Sequence, residues 1–284
     1  MRYLVDKLRE ITTRLRNVGI RDAEREAEAL LCLALNINKA ALYCHDLIEI
    51  SNEASSASKL DSMIARRLAR QPFQYIAGET EFLGLSLAVG TGVLIPRPET
   101  ELLVEIVTGI IKVKHKPTLN VLDLCTGSGC IALALAKQFP TSVVHAVDIS
   151  EIAIRYAAAN AATNNINNIT FHTGSLYGPV QTHTFDVIVS NPPYIKTFDI
   201  ALLEPEIRLY EPVEALDGGQ DGLHFYKKII TGAAGRLSEG GIMAFELGDT
   251  LAAAVMEIAS EAGYSKLTLK SDYSSTERFL IINE

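Results

Sequence analysis

One short stretch decides the fold of this chain: VLDLCTGSGCIAL at positions 121–133. A strand pattern leads into a turn that holds Gly127 and Gly129, and an apolar helix pattern follows at once. Glycines let the backbone approach a ligand closely, and a helix N-terminus favours an anionic group such as a carboxylate. The stretch lacks the spacing of a dinucleotide loop and the Lys of a phosphate loop. It therefore predicts a nucleotide-type site of another class, with a plain strand-to-helix turn as the alternative.

The chain around this stretch alternates strands and helices, as a doubly wound sheet does. Strands are predicted at 119–124, 142–147, 168–173, 185–190, 241–247, 264–270 and 277–283, and helices at 129–138, 150–163, 222–237 and 249–262. The last two strands have no helix between them, so one of them must run antiparallel to its neighbour. The pattern predicts an α/β protein with a mixed, Rossmann-like sheet of seven strands.

Two more positions on the predicted sheet suit a nucleoside ligand. Asp148 follows the strand 142–147, where a carboxylate can accept hydrogen bonds from both hydroxyls of a ribose. An N-cap role for Asp148 or Ser150 on the next helix is the alternative, and the two roles are compatible. Leu176 follows the third strand, where it covers an adenine ring or simply packs into the core.

The loop after the predicted strand 185–190 is Asn191-Pro192-Pro193-Tyr194. Two prolines cannot continue a strand, so the chain breaks into a rigid loop at the strand's carboxyl end, where open α/β sheets bind ligands. There the Asn191 oxygen and the Pro192 carbonyl can accept hydrogen bonds from an NH2 group and stabilise its growing positive charge. Tyr194 can stack on a flat acceptor. The loop predicts chemistry on a planar NH2 group: adenine N6, cytosine N4 or a glutamine amide.

The N-terminal part is predicted to be a separate helical bundle. Residues 1–80 show apolar side chains at helical spacing and contain no catalytic constellation, so they form a candidate docking domain for a substrate. The period changes to two over 81–95, which predicts a hairpin linker before the catalytic domain at 96–284. An arginine cluster at Arg66, Arg67 and Arg70 is interpreted as a solvated helix face rather than as a phosphate site.

Charge and cysteine content narrow the class of protein. The net charge is −8, the pI is about 5.4, and residues 81–284 carry fourteen Lys/Arg against twenty-three Asp/Glu. A nucleic acid would meet repulsion there, so no direct nucleic-acid substrate is expected. The four cysteines, Cys32, Cys44, Cys125 and Cys130, show no metal-ligand spacing and are predicted to be small apolar side chains in a reducing compartment. With no signal peptide or membrane span in the sequence, we expect a soluble, cytoplasmic protein.

The whole chain resembles the bacterial release factor glutamine methyltransferases of the PrmC/HemK type. Besides the helical N-terminal part, the likeness is carried by QYIAG at 74–78, Glu81-Phe82, LIPRPETE at 94–101, the glycine loop and Asn191 to Tyr194. The Asn-Pro-Pro-Tyr motif is shared with adenine methyltransferases and with ribosomal-protein glutamine methyltransferases. The segment 95–101 is more specific and favours the release-factor branch.

The resemblance implies a class I S-adenosylmethionine-dependent methyltransferase fold that acts on the glutamine of the Gly-Gly-Gln motif in class I peptide release factors. It implies that S-adenosylmethionine is the cofactor, that S-adenosylhomocysteine is the product and that no metal is needed. It implies that the residues in contact with S-adenosylmethionine are Cys125, Thr126, Gly127, Ser128, Gly129, Asp148, Leu176 and Asn191. It also implies that Asn191, Pro192, Pro193 and Tyr194 hold the substrate glutamine, with Asn191, Pro192 and Tyr194 as catalytic residues. A monomer is expected, and the alternatives are methylation of a ribosomal-protein glutamine or of adenine N6 in nucleic acid.

The chain departs from the family pattern at the cofactor loop. Cys125 replaces the usual first glycine, which is tolerable if this residue keeps a negative φ. Ser175 stands where an Asp is frequent, and Leu176 where some members have an aromatic residue. We therefore expect the affinity for the adenine part of the cofactor to differ from that of other members.

Overall fold

Eleven α-helices and nine β-strands form in the part of the chain that a computed structural model describes, namely residues 2–43, 54–114, 116 and 118–284. The helices are α1 Arg2–Asn17, α2 Ala23–Leu35, α3 Lys39–Tyr43, α4 Ala54–Leu68, α5 Phe73–Ala77, α6 Pro98–Lys114, α7 Cys130–Gln138, α8 Glu151–Thr163, α9 Pro205–Tyr210, α10 His224–Gly232 and α11 Ala252–Glu261. The strands are β1 Glu79–Phe82, β2 Leu85–Ala88, β3 Asn120–Leu124, β4 Val143–Asp148, β5 Ile169–Thr173, β6 Phe185–Ser190, β7 Leu237–Glu246, β8 Lys266–Ser271 and β9 Glu277–Asn283.

Seven of the strands form one mixed sheet in the order β5-β4-β3-β6-β7-β9-β8. Strands β3 to β7 are parallel, and β9 runs antiparallel to both of its neighbours. The predicted fold class is confirmed, including the antiparallel strand at the end of the chain. Because helices cover both faces, the central strands are buried on both sides and are apolar almost throughout, as in β6 (FDVIVS).

The order of the strands places the two sequence motifs side by side. Strands β3 and β6 are neighbours, and Leu124 pairs with Ser190 at their carboxyl ends. The Ser190 hydroxyl also donates to the Leu124 carbonyl over 2.7 Å. The glycine loop begins at the residue after Leu124 and the Asn-Pro-Pro-Tyr loop at the residue after Ser190. Both loops therefore leave the sheet at the same edge.

The chain divides into two units. The larger one comprises Glu79–Leu203 and Glu211–Glu284, so the hairpin of β1 and β2 belongs to it. The smaller unit holds the residues up to Gly78 and, in addition, Glu204–Tyr210, which contains α9. Its core is formed by α1, α2 and α4 around side chains that include Ile11, Leu30 and Ile64, all fully buried.

The arginine cluster of α4 is not a solvated face, and this interpretation of the sequence was wrong. Arg67 is 4% exposed, and its guanidinium contacts Glu26 at 2.5 Å and Glu206 at 2.9 Å. Arg70 contacts Glu206 at 2.6 Å. Arg66 donates to the Gln71 side chain over 2.9 Å. The carboxylate of Glu206 arrives from α9, more than 130 residues along the chain, which no local pattern of α4 could indicate.

None of the helices described above is both long and apolar enough to cross a membrane. The cysteines Cys32, Cys125 and Cys130 are free thiols, whereas Cys44 lies outside the described residues. The helix predicted at 222–237 ends at Gly232, and β7 begins four residues before the predicted strand.

Candidate active site

A cavity of about 690 Å³ opens at the carboxyl ends of β3, β4 and β6, inside the larger unit. Of the residues predicted for the site, those that line it are Cys125, Thr126, Gly127, Ser128, Asp148, Leu176, Asn191 and Pro193. Gly129, Pro192 and Tyr194 are not among the described residues that line the cavity. The segment that leads into α6 closes one side with Val93, Leu94 and Arg97.

The two glycines of the loop have different duties. Gly127 has a φ of +56°, and a Cβ placed on it would meet no atom within 4 Å, so its backbone faces open space. Its N–H donates to the Asp148 carboxylate over 2.8 Å. Gly129 has a φ of +83°, and a Cβ there would lie 3.0 Å from Ala157 of α8. Gly127 thus leaves room for a ligand, and Gly129 allows α7 to begin close to α8.

Cys125 does not keep the negative φ that the sequence analysis requires of it. Its φ is +61°, in the left-handed region that costs a residue with a Cβ roughly 1–2 kcal/mol. The strained residue lies between Leu124, which the sheet fixes, and Thr126, whose N–H donates to the Val147 carbonyl over 3.1 Å. The sheet on both sides holds the turn in place, so the chain keeps the glycine geometry without the glycine.

Asp148 lines the cavity and also makes hydrogen bonds that hold the surrounding backbone. Its carboxylate accepts from the N–H of Gly127 at 2.8 Å and from the N–H of Ser150 at 2.9 Å. The N-cap of α8 is Ser150, whose hydroxyl accepts from Ala153 at 3.2 Å. Burial raises the pKa of Asp148, although the N–H groups that it accepts from oppose the shift. The remaining acceptor capacity of this carboxylate is available to a ligand in the cavity.

A second carboxylate lies beneath the glycine loop, where the sequence analysis assigned no site residue. Asp123 is fully buried and accepts from the Thr126 hydroxyl at 2.5 Å and from the Ala132 N–H at 3.2 Å. Its Oδ1 has no partner among the described residues. Burial raises the pKa of Asp123 to about 7. Through these two hydrogen bonds the carboxylate fixes the glycine loop to the start of α7.

Asn191 is held by a chain of hydrogen bonds. Its Nδ2 donates to the Thr100 hydroxyl over 3.2 Å, and this hydroxyl donates to Glu246 over 2.6 Å. Thr100 and Glu246 are 2% and 1% exposed. Burial raises the pKa of Glu246 to about 7. The amide NH2 of Asn191 is thereby directed into the protein, which leaves the amide oxygen for the cavity.

The rest of the Asn-Pro-Pro-Tyr loop is fixed by the connection at 216–222. The N–H of Ile195 donates to Leu216 over 2.9 Å, and the N–H of Gly218 donates back to Ile195 over 2.8 Å. A Cβ on Gly218 would lie 2.6 Å from the Tyr194 Cα, and one on Gly248 would lie 2.7 Å from its ring. Burial raises the pKa of Tyr194 to about 12. The Tyr194 ring is therefore packed against backbone, and its hydroxyl stays protonated.

Three further residues hold the site and were missed from the sequence. Asn160 of α8 is fully buried and donates to the Ser128 carbonyl over 2.9 Å, so it ties the glycine loop to α8. Arg97 at the cavity wall contacts Glu211 over 2.7 Å. A buried Asn in an amphipathic helix was a usable signal, since such a polar group must find partners. No signal for the pairing of Arg97 with Glu211 exists in the sequence.

No group of three or more His, Cys, Asp and Glu side chains is placed to hold a metal ion within the described ranges. The groups that surround the cavity are instead backbone N–H donors, carboxylates, one side-chain amide and apolar walls such as Leu176. Such a set suits an organic ligand that carries hydroxyl and cationic groups.

Comparison with known proteins agrees with this geometry. The family description "PrmC N-terminal domain" fits residues 6–78, and "Methyltransferase small domain" fits residues 99–203. A methyltransferase structure from Pyrococcus furiosus superposes with a TM-score of 0.53 at 24% identity, over 80% of this chain and 98% of that one, which shows a shared fold.

The curated relatives cover almost the whole chain. The release factor glutamine methyltransferase of Thermodesulfovibrio yellowstonii is 43% identical over 99% of this chain and 98% of its own. The protein of the same name from Geobacter sulfurreducens is 41% identical over 92% of this chain and 89% of its own. At this identity and coverage the chain belongs to the release factor glutamine methyltransferase family.

Proposed function

We propose that this protein transfers a methyl group from S-adenosylmethionine to the side-chain amide nitrogen of the glutamine in the Gly-Gly-Gln motif of class I peptide release factors. The observation that carries the proposal is the meeting of two loops in one cavity: a glycine loop backed by Asp123 and Asp148, and Asn191 directly beside it. The names of the relatives support the release factor as the acceptor.

Three features of the cavity and its glycine loop suit the proposed cofactor. The bare backbone of Gly127 leaves space, Asp148 keeps acceptor capacity for ribose hydroxyls, and the unpartnered Asp123 oxygen lies below the loop. Two carboxylates attract a ligand with cationic groups. S-adenosylmethionine, when bound, supplies an electrophilic methyl group on a positively charged sulfur. In this proposal Cys125 to Ser128, Asp148, Leu176 and Asn191 contact it, and Gly129 shapes the loop.

The Asn191 loop would hold the acceptor amide. An amide nitrogen is a poor nucleophile because its lone pair is delocalised into the carbonyl group. Acceptance of its N–H hydrogens by the Asn191 oxygen and the Pro192 carbonyl would orient the nitrogen and stabilise the positive charge that grows on it. In this proposal both acceptors belong to a rigid loop, so little reorganisation would be needed during the reaction. Pro193 forms part of the wall beside them.

Tyr194 keeps a proposed role in substrate binding. Its ring contacts the backbone of Gly248 and packs with the apolar cluster around Leu251. In this proposal a flat acceptor that reaches the loop stacks on this ring. Replacement of Tyr194 by Phe should leave turnover within about threefold, because the stack needs the ring and not the hydroxyl; replacement by Leu should cost more.

Recognition of a whole release factor needs contacts far from one glutamine side chain, which offers little binding energy by itself. None of the described residues of the helical unit lines the cavity, and the sequence of residues 1–80 is nearly neutral, so the unit suits an acidic protein partner better than the rest of the chain. We propose it as the docking domain. Hydrogen exchange of the full chain with and without release factor tests this: protection should appear in α1, α2 or α4. Protection confined to residues 79–203 would contradict docking.

Removal of the helical unit would be a poorer test. A chain that begins near Glu81 would leave the carboxylates of Glu204 and Glu206 without Arg67 and Arg70, their partners in the unit. If such a chain lost activity, the cause could be the unpaired carboxylates of α9 or the missing docking surface, and the experiment would not distinguish them.

The choice of acceptor is tested with labelled cofactor and a panel of purified release factors, ribosomal subunits, DNA and tRNA. Label on the Gly-Gly-Gln glutamine of a release factor, located by peptide mapping, is the expected result. Label only on a ribosomal protein would favour the sister activity, and label only on nucleic acid would favour adenine methylation. The excess of acidic residues in 81–284 speaks against nucleic acid. A cytoplasmic monomer that needs no metal is part of the proposal.

A further inference from the structure

We propose that Glu246 is the positioning residue of the acceptor site, and that it sets the direction of the Asn191 amide through the Thr100 hydroxyl. The inference rests on the proposed function, since it concerns how Asn191 meets an acceptor NH2 group. Glu246 itself does not line the cavity.

The geometry is a one-way relay. A threonine hydroxyl has a single proton, and here Thr100 gives it to Glu246 at 2.6 Å, the shorter of its two contacts. The hydroxyl oxygen can then only accept from Asn191, at 3.2 Å. A reversed Asn191 amide would place its oxygen against the Thr100 oxygen with no proton between them. The amide oxygen is therefore directed away from Thr100.

The direction of the amide decides whether the site works. An acceptor NH2 group brings two donors and needs acceptors opposite them. Asn191 in the observed direction offers an oxygen. A reversed Asn191 would offer its own NH2 group, so donors would face donors and the growing positive charge would lose its partner.

The relay depends on the charge of Glu246. Four elements bring charged or titratable groups to this carboxylate: Glu99 from α6, Tyr194 from the loop after β6, Tyr226 from α10 and Arg278 from β9. Tyr226 donates to the Glu246 backbone carbonyl at 2.8 Å, so it does not compete for the carboxylate. When Glu246 takes up a proton it becomes a donor to Thr100, and Thr100 is then free to donate to Asn191. Protonation thus allows the reversed, inactive direction.

The pKa of about 7 places this change near neutral pH. Burial, the largest influence, opposes the charged carboxylate, as Glu99 does, whereas the Thr100 hydroxyl, Arg278 and the Asn191 side chain favour it. Asp123 and Asp148 also have raised pKa values, but they belong to the cofactor side. Saturating cofactor therefore separates their effect from that of Glu246.

The first test replaces the relay and keeps the packing. Thr100→Val removes the hydroxyl without a change of shape and should lower kcat on release factor about 10- to 100-fold, with the Kd for cofactor unchanged within about threefold. Thr100→Ser restores the hydroxyl and should recover most of the kcat. The matched control is Thr108→Val on the same helix, whose Thr108 hydroxyl is buried and has no partner among the described residues, and it should leave kcat unchanged.

The second test reads the charge of Glu246. At saturating cofactor, kcat of the native protein should fall as the pH drops through about 7. Glu246→Gln is neutral at every pH and can donate to Thr100 as well as accept from it, so its kcat should be lower at pH 8 and should lack this acid limb. An unchanged acid limb in Glu246→Gln, or equal kcat for Thr100→Val and Thr108→Val, overturns the inference. A native protein that labels no release factor overturns the proposed function instead, so the two failures are distinct.

Discussion

The cavity has a proposed cofactor side and a proposed acceptor side, and each is supported by the same kind of contact: a buried carboxylate that accepts a hydrogen bond from a threonine hydroxyl. On the cofactor side Asp123 accepts from Thr126 at 2.5 Å, and on the acceptor side Glu246 accepts from Thr100 at 2.6 Å. Burial raises the pKa of both carboxylates to about 7. The pairs differ in sequence distance: three residues separate Asp123 from Thr126, whereas 146 separate Thr100 from Glu246.

A local sequence motif can therefore build the cofactor half of the site, but it cannot build the acceptor half. The cofactor half is folded by one strand-turn-helix segment, and its carboxylate supports the segment's own backbone. The acceptor half exists only when α6, β6 and β7 have packed, because Thr100 lies on α6, Asn191 directly follows β6 and Glu246 ends β7. We therefore expect damage to the cofactor half to appear in binding, and damage to the acceptor half to appear in turnover.

The largest effect is expected at Asn191. Asn191→Ala removes the proposed acceptor for the amide NH2 group, whose positive charge grows during transfer, so kcat on release factor should fall by a factor of about 100 or more. The Kd for cofactor should change much less, because the glycine loop and Asp148 remain. Single-turnover kinetics and calorimetry measure the two quantities. Near-normal turnover would show that Asn191 is only a turn residue. It would also contradict the expectation that damage to the acceptor half appears in turnover.

Asp148→Ala should give the complementary result. If Asp148 has the proposed role, the variant loses two hydrogen bonds to ribose hydroxyls worth roughly 0.5–1.5 kcal/mol each, and the Kd for cofactor should rise about 5- to 150-fold. At saturating cofactor, kcat should stay within a few fold of the native value. Asp148→Asn is the matched variant that keeps the shape and one acceptor, and calorimetry should place it between the two. Unchanged affinity in folded Asp148→Ala would reject the role.

The pH dependence of stability compares the two carboxylates directly. Their pKa values rise from 3.8 and 4.5 to about 7, so between these values the folded protein binds more protons than the unfolded chain. Stability therefore falls as the pH rises through 7. From pH 5.5 to 8.5 each carboxylate should cost about 2 kcal/mol of unfolding free energy.

Urea unfolding of Asp123→Asn and Glu246→Gln at several pH values checks this expectation, and each variant should show a flatter pH dependence than the native chain. His145 has the opposite effect on stability below pH 6.5, because burial lowers its pKa to about 4. Between pH 4 and 6.5 the unfolded chain binds a proton at His145 that the folded protein does not, so this group makes stability rise with pH. A native chain whose stability is constant from pH 6.5 to 8.5 would contradict the raised pKa values.

The smallest effect is expected at Cys125. Cys125→Gly relieves a left-handed residue of about 1–2 kcal/mol of strain but adds freedom to the unfolded chain, so the net gain in stability should be about 0–1 kcal/mol. The Kd for cofactor should hardly change. Cys125→Val, with a β-branched side chain at the same φ, should instead destabilise the protein. Chemical denaturation distinguishes them, and a Gly variant less stable than the Val variant would show that Cys125 is held by side-chain contacts.

Much of the fold was predictable because its elements carry their own signals. The strand 185–190 was predicted to the residue, since its burial on both faces makes it a continuous apolar run. The helix predicted at 222–237 was too long, because the apolar period continues past Gly232, whose lack of a side chain admits the ring of Tyr177. The pairing of Arg67 with Glu206 was out of reach, since α9 joins the helical unit only in three dimensions.

The sequence alone was enough to predict the strands of the sheet, the glycine loop, the position of Asp148 and the place of Asn191 at a strand end. These depend on neighbours within about ten residues and on the rule that parallel strands end at one edge. Three features emerge only in the folded chain: the direction of the Asn191 amide, the left-handed φ of Cys125 and the contact of Glu206 with the buried Arg67. The physical reason is that a buried polar group must find its partner wherever packing brings one, and packing joins residues that the chain keeps more than a hundred positions apart.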